Sequence, residues 1–320
     1  MPVPPSRVPR SRRLATIDLG SNTVRYLLVE IGETSQWRIV DQDQRVTRLA
    51  EGLAASGRLG ATPMARTGAA VIEYARRARR LGAVDVHVVA TSAVREAANG
   101  REFAGSLERA AGARVRVVSG DDEARLTIRG VLAALRGLAT PLLVFDVGGG
   151  STEFVLWRDG TVAAAASLRL GVVSLAERYP FPGPVGWADY RAMAGDIADQ
   201  LARELLASFR DVTIATLVGT AGTVTTLAAL DLGLAAYDAE RVQGHRLTRA
   251  AIDAQLARLG ALTTEGRAAL PCLEPGRADL IVPGVAIVTA TMDRLRADSL
   301  VVSDWSLREG IVAELVEGPC

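Results

Sequence analysis

Two stretches of the sequence place an aspartate at the end of an apolar run and a glycine-containing turn directly after it. The first, "IDLGSNT", contains Asp18, and the second, "FDVGGGSTE", contains Asp146 followed by three consecutive glycines. Glycine permits positive φ angles and close approach, so such turns can direct successive backbone N–H groups at the oxygens of an anion. The pattern predicts a phosphate-binding site, although two ordinary glycine-rich hairpins would look similar. The residues predicted to bind phosphate here are Gly20, Ser21, Asn22, Thr23, Gly148, Gly149, Gly150, Ser151 and Thr152.

Carboxylates in the same two stretches could hold a divalent cation beside the phosphate. Asp146 ends its apolar run, and Glu153, seven residues later across the turn, can return alongside it. Oxygen ligands of this kind suit a hard cation such as Mg²⁺, with Mn²⁺ as an alternative, either directly or through water. Asp18 occupies the equivalent place in the first stretch and is a third candidate ligand, although a single aspartate at the end of a strand often only forms a turn.

If the bound phosphate group is hydrolysed, the attacking water needs a base that takes its proton. That base is expected to be a carboxylate. The sequence contains no lysine and only two histidines, His87 and His245, neither of which has a second ligand at metal spacing. The stretch "SGDDEARL" supplies acids where a helix is predicted to begin. Acidic residues in a first helical turn commonly only cap the helix, and we assign that role to Asp121 and Asp122.

Composition and charge exclude several classes of function. The chain has 320 residues and 49% hydrophobic residues, which is enough for two domains with separate cores. Its net charge of +1 gives no global field that would attract nucleic acid or a membrane surface, and no apolar run is long enough to span a bilayer. Residues 1–13 are rich in proline and arginine and lack the apolar core of a signal peptide, which predicts a disordered basic tail on a cytoplasmic protein.

Two related structural units must position these residues, because the two stretches align at a constant offset of 128 residues. The aligned pairs are Asp18 with Asp146, Gly20 with Gly148, Thr23 with Ser151, and Tyr26 with Phe154. After each turn the residues are β-branched or aromatic and predict a second strand. A turn between two strands differs from the Rossmann and P-loop turns, both of which lead into a helix.

The first unit is predicted to follow the order β-β-β-α-β-α-β, a mixed sheet covered by helices. Its first long helix is expected over "TPMARTGAAVIEYARRARRLG", with Thr62 as N-cap and Gly82 as the stop, and its second over "REAANGREFAGSLERAAG". The second unit repeats the three strands and then adds helices and a strand, "TIATLVGTAG". The predicted divisions are the tail at 1–13, a first domain at 14–125, a second at 126–302, and a closing helix within 303–320 that could pack back on the first domain.

Seven motifs resemble, in order, those of the exopolyphosphatase/guanosine pentaphosphatase family. They are "IDLGSNT", "ATSAVREA", "SGDDEARL", "FDVGGGSTE", "GTAGTVTTLA", "VPGVAI" and "SDWSLREG", and they span residues 16–310. The resemblance implies an α/β fold of two similar actin-like (ribonuclease H-like) domains, with mixed sheets flanked by helices and an active site in the cleft between the domains. It also implies magnesium-dependent hydrolysis of terminal phosphates from inorganic polyphosphate or guanosine pentaphosphate.

The resemblance assigns roles to further residues. In the family motif the second of two adjacent acids is the base, which is Glu123 here; the first is usually Glu, and Asp122 in its place could loosen the support of the base. Arg95 resembles the family's phosphate-contacting arginine, and a guanidinium suits two phosphate oxygens, with a surface salt bridge as the alternative. The turn in "GTAGTVTTLA" could hold a more distal phosphate at a helix N-terminus and leaves nucleotide binding open. Its candidate residues are Gly219, Thr220, Gly222 and Thr223.

These observations predict a homodimeric exopolyphosphatase with guanosine pentaphosphate as a secondary substrate. The alternative is an actin-like sensor that binds nucleotide or polyphosphate with little turnover. Asp146, Glu153 and Glu123 together favour the enzyme, because a pure binding protein needs no aligned base. A kinase would require an acceptor pocket, for which we find no signal. Short polyphosphate chains are expected to be preferred, since the sequence ends at Cys320 and longer family members carry extra C-terminal domains.

Overall fold

Two mixed β-sheets, one in each half of the chain, organise the protein. The structure is a computed structural model and describes residues 11–33, 36–205, 209 and 212–317. The first sheet has the order β3-β2-β1-β4-β5 and consists of β1 (Arg12–Leu19), β2 (Thr23–Ile31), β3 (Trp37–Val46), β4 (Ala83–Ala90) and β5 (Val115–Val117). The second has the order β10-β11-β9-β6-β7-β8 and consists of β6 (Leu142–Val147), β7 (Thr152–Arg158), β8 (Thr161–Leu168), β9 (Thr216–Thr220), β10 (Arg246–Thr248) and β11 (Ser299–Ser303).

Helices cover both sheets. Those of the first half are α1 (Leu53–Ser56), α2 (Ala61–Arg80), α3 (Ser92–Glu96), α4 (Gly100–Ala111) and α5 (Gly120–Ala134). Those of the second half are α6 (Val172–Arg178), α7 (Trp187–Glu204), α8 (Ala221–Asp231), α9 (Ala239–Val242), α10 (Arg249–Gly260), α11 (Thr264–Ala268), α12 (Ile281–Leu295) and α13 (Leu307–Glu317), with a 3₁₀ turn at Pro275–Arg277. No helix among the described residues combines the length and apolar character needed to cross a membrane.

The first hairpin of each sheet repeats the other in detail. Gly20 N–H donates to the Thr23 carbonyl at 3.1 Å, and Gly148 N–H donates to the Ser151 carbonyl at 2.9 Å. The register between the second and third strands shifts after Leu28 in the first sheet and after Leu156 in the second. Both features recur at the offset of 128 residues, so the duplication seen in the sequence extends to the backbone.

The apolar run of β2 follows from burial of both faces of the first sheet. On one face Tyr26 stacks on Tyr74 of α2 with ring centroids 5.1 Å apart. On the other face Leu27 and Val29 pack with Val312 of α13. The closing helix therefore lies on the first sheet, the placement expected for it, although residues 318–320 lie outside the described part.

Helix α5 connects the halves and carries Glu123 in its first turn. Ser119 caps this helix by accepting a hydrogen bond from the Asp122 N–H at 3.1 Å. Helix α13 crosses α5 at backbone contact, because a Cβ atom at Gly310 of α13 would lie 1.8 Å from the Leu126 carbonyl oxygen of α5. A larger residue at this crossing would displace α5 and, with it, Glu123.

Three predicted boundaries need correction. Residues 1–10 of the predicted tail lie outside the described residues, but β1 already begins at Arg12 and Arg13 pairs with Glu30 on β2 at 3.1 Å. Helix α2 begins one residue before Thr62, with Gly60 as its N-cap. The helix predicted over "REAANGREFAGSLERAAG" is two helices, because α3 ends where Ala97 adopts an extended backbone and α4 begins after Asn99, whose amide binds both backbone groups of Leu59.

Candidate active site

The two glycine turns face each other across a cleft between the sheets. A Cβ atom at Gly149 would lie 3.0 Å from the backbone nitrogen of Asn22, and one at Gly150 would lie 2.7 Å from the Ser21 hydroxyl. A side chain at either position would push the two loops apart. These glycines, expected to make room for a phosphate, also allow the two loops to approach each other.

Three residues predicted to bind phosphate do not line the cleft. Thr152 donates its hydroxyl to the Leu170 carbonyl at 2.5 Å, and Thr220 donates to the Ser303 carbonyl at 2.9 Å. A Cβ atom at Gly219 would lie 3.0 Å from the Phe145 ring. These contacts with the surrounding backbone and the Phe145 ring occupy all three residues outside the cleft. Those that line the cleft are Gly20, Ser21, Asn22, Thr23, Gly148, Gly149, Gly150, Ser151, Gly222 and Thr223.

Carboxylates from both halves line the same cleft. Burial raises the pKa of Asp18 to about 7 and that of Asp146 to about 6, while the positive charge of Arg25 opposes both rises. Burial also raises the pKa of Glu153 to about 7, and the charge of Asp146 adds to this rise. Each acid is therefore costly to ionise by itself, and a bound cation would relieve that cost.

The arrangement of these acids fits a cation held by two carboxylates rather than three. Asp146 and Glu153 are register partners on β6 and β7, whereas Asp18 is the register partner of Arg25. In the described part of the chain no three acidic, histidine or cysteine side chains converge as a ligand set, so the metal roles of Asp18, Asp146 and Glu153 stay predictions. Mg²⁺ commonly takes one or two carboxylates and completes its shell with water and substrate phosphates.

The buried Asp18 Oδ1 atom also indicates that the cleft is built for a polar ligand. Among the described residues this atom has no hydrogen-bond partner. A buried carboxylate oxygen without a hydrogen-bond partner, beside a phosphate-type loop, can bind water, a hydrated cation or a proton. Asp18 therefore fits a place in the outer shell of a hydrated ion.

Arg95 binds Glu123 instead of lining the cleft. Its Nη1 atom donates to Glu123 Oε2 at 2.7 Å and to the Val118 carbonyl at 3.1 Å. Glu123 lines the cleft and is 8% exposed. Burial raises the pKa of Glu123 well above its usual range, the charge of Glu153 adds to the rise, and the hydrogen bond from Arg95 opposes it. In this structure Arg95 orients the carboxylate predicted as the base, a role that differs from the predicted phosphate contact.

Two arginines that the sequence reasoning missed line the cleft. Arg25 faces it from β2, and Arg277 lies so close to Gly222 that a Cβ atom there would be 2.0 Å from Arg277 Nη1. Burial lowers the pKa of Arg277 to about 10, and the charge of Arg25 adds to this effect, so Arg277 remains positive at neutral pH. Two positively charged arginine side chains in one cleft favour an anionic ligand.

The chain matches a family model and curated relatives over nearly its whole length. The model for the Ppx/GppA phosphatase family matches residues 27–318. Exopolyphosphatase 2 of Mycobacterium tuberculosis is 35% identical over 319 residues, which cover 95% of this chain and 98% of that protein. A guanosine-5'-triphosphate,3'-diphosphate pyrophosphatase of Photobacterium profundum is 31% identical over 312 residues, covering 97% of this chain and 60% of that protein.

Solved structures agree with this match. The Aquifex aeolicus member of the Ppx/GppA family superposes with a TM-score of 0.81 at 30% identity, covering 97% of this chain and 100% of the other. An exopolyphosphatase from Cytophaga hutchinsonii superposes with a TM-score of 0.89 at 23% identity, covering 97% and 99%, and supports the fold alone. The predicted α/β fold of two similar actin-like domains is confirmed.

Proposed function

Because the chain belongs to the Ppx/GppA phosphatase family, we propose that it removes terminal phosphates from inorganic polyphosphate, with guanosine pentaphosphate as a second substrate. The names of the relatives support both substrates. The observation that carries the proposal is Glu123, a buried carboxylate held by Arg95 beside two opposed phosphate-type loops. A protein that only bound nucleotide or polyphosphate would have no use for an oriented base at this point.

The residues of the cleft divide the reaction between binding and proton transfer. The loops at 20–23 and 148–151 bind the terminal phosphate through backbone N–H groups, and Arg25 and Arg277 balance its negative charge. Glu123 accepts a proton from a water whose oxygen attacks the terminal phosphorus in line. The new P–O bond forms as the bond to the bridging oxygen breaks, which releases phosphate and a chain shorter by one unit.

Asp146 and Glu153 are the residues that would hold a divalent cation, Mg²⁺ or Mn²⁺, with Asp18 in its outer shell. When bound, such an ion supplies charge neutralisation at the phosphate oxygens. Glu153 is prepared for this role because its Oε1 atom accepts hydrogen bonds from Ser151 at 2.6 Å and Ser167 at 2.7 Å. Both hydroxyls bind the same oxygen, Oε1, and so would fix the orientation of the carboxylate that holds the ion.

Replacing Ser167 by alanine should weaken the response to magnesium. One of the two hydroxyls that orient Glu153 is lost, and removal of such a supporting group typically costs about 10- to 100-fold in metal affinity or activity. The measurement is the Mg²⁺ concentration that gives half-maximal phosphate release. Ser174→Ala is the matched control, because Ser174 donates to the Gly171 carbonyl at 3.1 Å and does not touch Glu153. An unchanged half-maximal concentration in Ser167→Ala would show that Glu153 needs no such support.

One assay decides between the enzyme and the sensor. Phosphate release is measured from short polyphosphate, long polyphosphate and guanosine pentaphosphate, each with and without magnesium. The proposal expects multiple turnovers on at least one of these substrates. Tight binding of all three without turnover would instead favour the sensor. The homodimer and the cytoplasmic location stay predictions.

We expect short chains to be hydrolysed with a higher kcat/KM than chains of hundreds of units. Both arginines that line the cleft among the described residues, Arg25 and Arg277, lie inside it, so only the terminal few phosphates gain charge contacts there. The measurement compares kcat/KM per chain for tripolyphosphate and a long polyphosphate at one ionic strength. A higher value for the long chain, with no release between cleavages, would contradict this expectation.

A further inference from the structure

The segment after β3 is attached to the first phosphate loop. The backbone N–H groups of Thr47 and Arg48 both donate to the Asn22 carbonyl at 2.9 Å, and Ala50 N–H donates to the Ser21 carbonyl at 2.8 Å. Arg48 has a φ angle of 50°, in the left-handed region that non-glycine residues seldom adopt. Its side chain therefore starts from a backbone that is fixed relative to the loop.

From this fixed backbone position the Arg48 side chain extends to the other half of the protein. Its two terminal nitrogens bind the Asp279 carboxylate in a forked arrangement, at 2.9 Å and 2.6 Å, and one of them also donates to the Gly276 carbonyl at 3.1 Å. A forked guanidinium–carboxylate pair fixes orientation as well as distance. The contact thus ties the first phosphate loop to the segment 276–279.

That segment carries Arg277, one of the two arginines of the cleft. Arg277 also donates to the Gln44 side chain at 3.3 Å, and Gly276 fits against Val46, where a Cβ atom would lie 3.0 Å from the valine side chain. Leu280 and Ile281, directly after Asp279, line the cleft. Displacement of Asp279 would therefore move one wall of the cleft together with the positive side chain of Arg277.

Stability alone does not account for this pair. Both side chains are 36% exposed, and ion pairs with that much access to water usually add little to stability. The strained backbone at Arg48 and the forked geometry indicate a requirement for position, because strain of this kind persists where the surrounding structure enforces it.

We propose that Arg48 and Asp279 form an interlobe latch between the two halves of the protein, here called lobes: a pair of positioning residues that holds Arg277 and its wall of the cleft against the first phosphate loop. The latch rests on the proposed function. It acts on the binding of the phosphate chain, whereas proton transfer is assigned to Glu123 on α5.

The test combines kinetics with a distance measurement. Arg48→Ala, Asp279→Ala, the double variant and the charge-swapped Arg48→Asp/Asp279→Arg variant are assayed on tripolyphosphate. We expect KM to rise about tenfold in each single variant, with no further rise in the double variant, and the swapped pair to recover most of that loss. Arg77→Ala is the control, because Arg77 forms a similar forked pair with Asp41 inside the first lobe.

The distance measurement does not depend on activity. Spin labels at Ala54 and Glu265, both exposed and on opposite lobes, report the separation of the lobes after Cys272 and Cys320 are replaced by serine. The single variants should add a population at longer distance, and the swapped pair should remove it. A parental KM or a parental distance distribution in Arg48→Ala overturns the latch. If the parent protein hydrolyses none of the substrates, the proposed function fails, while the distances still decide whether this pair holds the lobes together.

Discussion

Glu123→Gln should fold normally, bind polyphosphate with parental affinity and turn it over at least about 100-fold more slowly. Glutamine keeps the size of the side chain and can still accept the hydrogen bond that Arg95 donates at 2.7 Å, but it cannot take a proton from water. Loss of a general base typically costs about 10²- to 10⁴-fold in rate, whereas loss of an acidic charge near a helix N-terminus costs about 0.3–1 kcal/mol of stability. A general base and a helix-capping acid at position 123 would therefore give opposite results.

The matched control is Asp121→Asn, which removes a carboxylate from the same helical turn. Asp121 is exposed and does not line the cleft, so its loss should leave kcat near the parental value. The measurements are kcat, KM and melting temperature for both variants. A base must be deprotonated to act, so parental activity should also fall as pH decreases through the raised pKa of Glu123. If Glu123→Gln melts lower but hydrolyses at the parental rate, Glu123 is structural, and Asp122 becomes the next candidate.

The duplicated unit made much of the fold predictable from the sequence. Aspartate, glycine and hydroxyl residues recur at one offset. A repeated strand–turn–strand pattern of this kind predicts the same hairpin in both halves of the chain. The same logic placed Asp18 and Asp146 at equivalent strand ends, as the structure shows. Helix boundaries were less predictable, because Asn99, the residue before α4, is held by a contact with Leu59, which lies 40 residues earlier.

The charges of the cleft were predictable only in part. Arg25 precedes Glu153 by the same 128 residues, so the duplication itself pairs Arg25 with a residue of the cleft. Each hairpin places a charged residue opposite its strand-end aspartate, and the two charges have opposite signs. Arg277 and Arg48 had no such signal. Their positions depend on contacts between the lobes, and local sequence patterns do not record contacts between distant segments.

The second large effect should come from removal of divalent cations. Full chelation should lower phosphate release by at least about 100-fold, since the phosphate oxygens would then lack the charge neutralisation that Asp146 and Glu153 are placed to provide. Asp146→Asn should give a similar loss in the presence of magnesium. Asp199→Asn, which changes an exposed aspartate on α7, is the control and should keep parental activity. Full activity after chelation would contradict the role proposed for these carboxylates.

Magnesium should also stabilise the folded protein in a way that depends on pH. Burial raises the pKa of Asp146 from 3.8 to about 6 and that of Glu153 from 4.5 to about 7, so the folded protein holds more protons than the unfolded chain between about pH 4 and 7. The stability that these protonated acids contribute is present at low pH and is lost as pH rises through that window. A cation binds only the deprotonated acids, so added Mg²⁺ should raise the melting temperature clearly at pH 8 and little at pH 5. Asp146→Asn should diminish the Mg²⁺-dependent rise in melting temperature at pH 8. An equal rise in melting temperature in parent and variant would place the ion elsewhere.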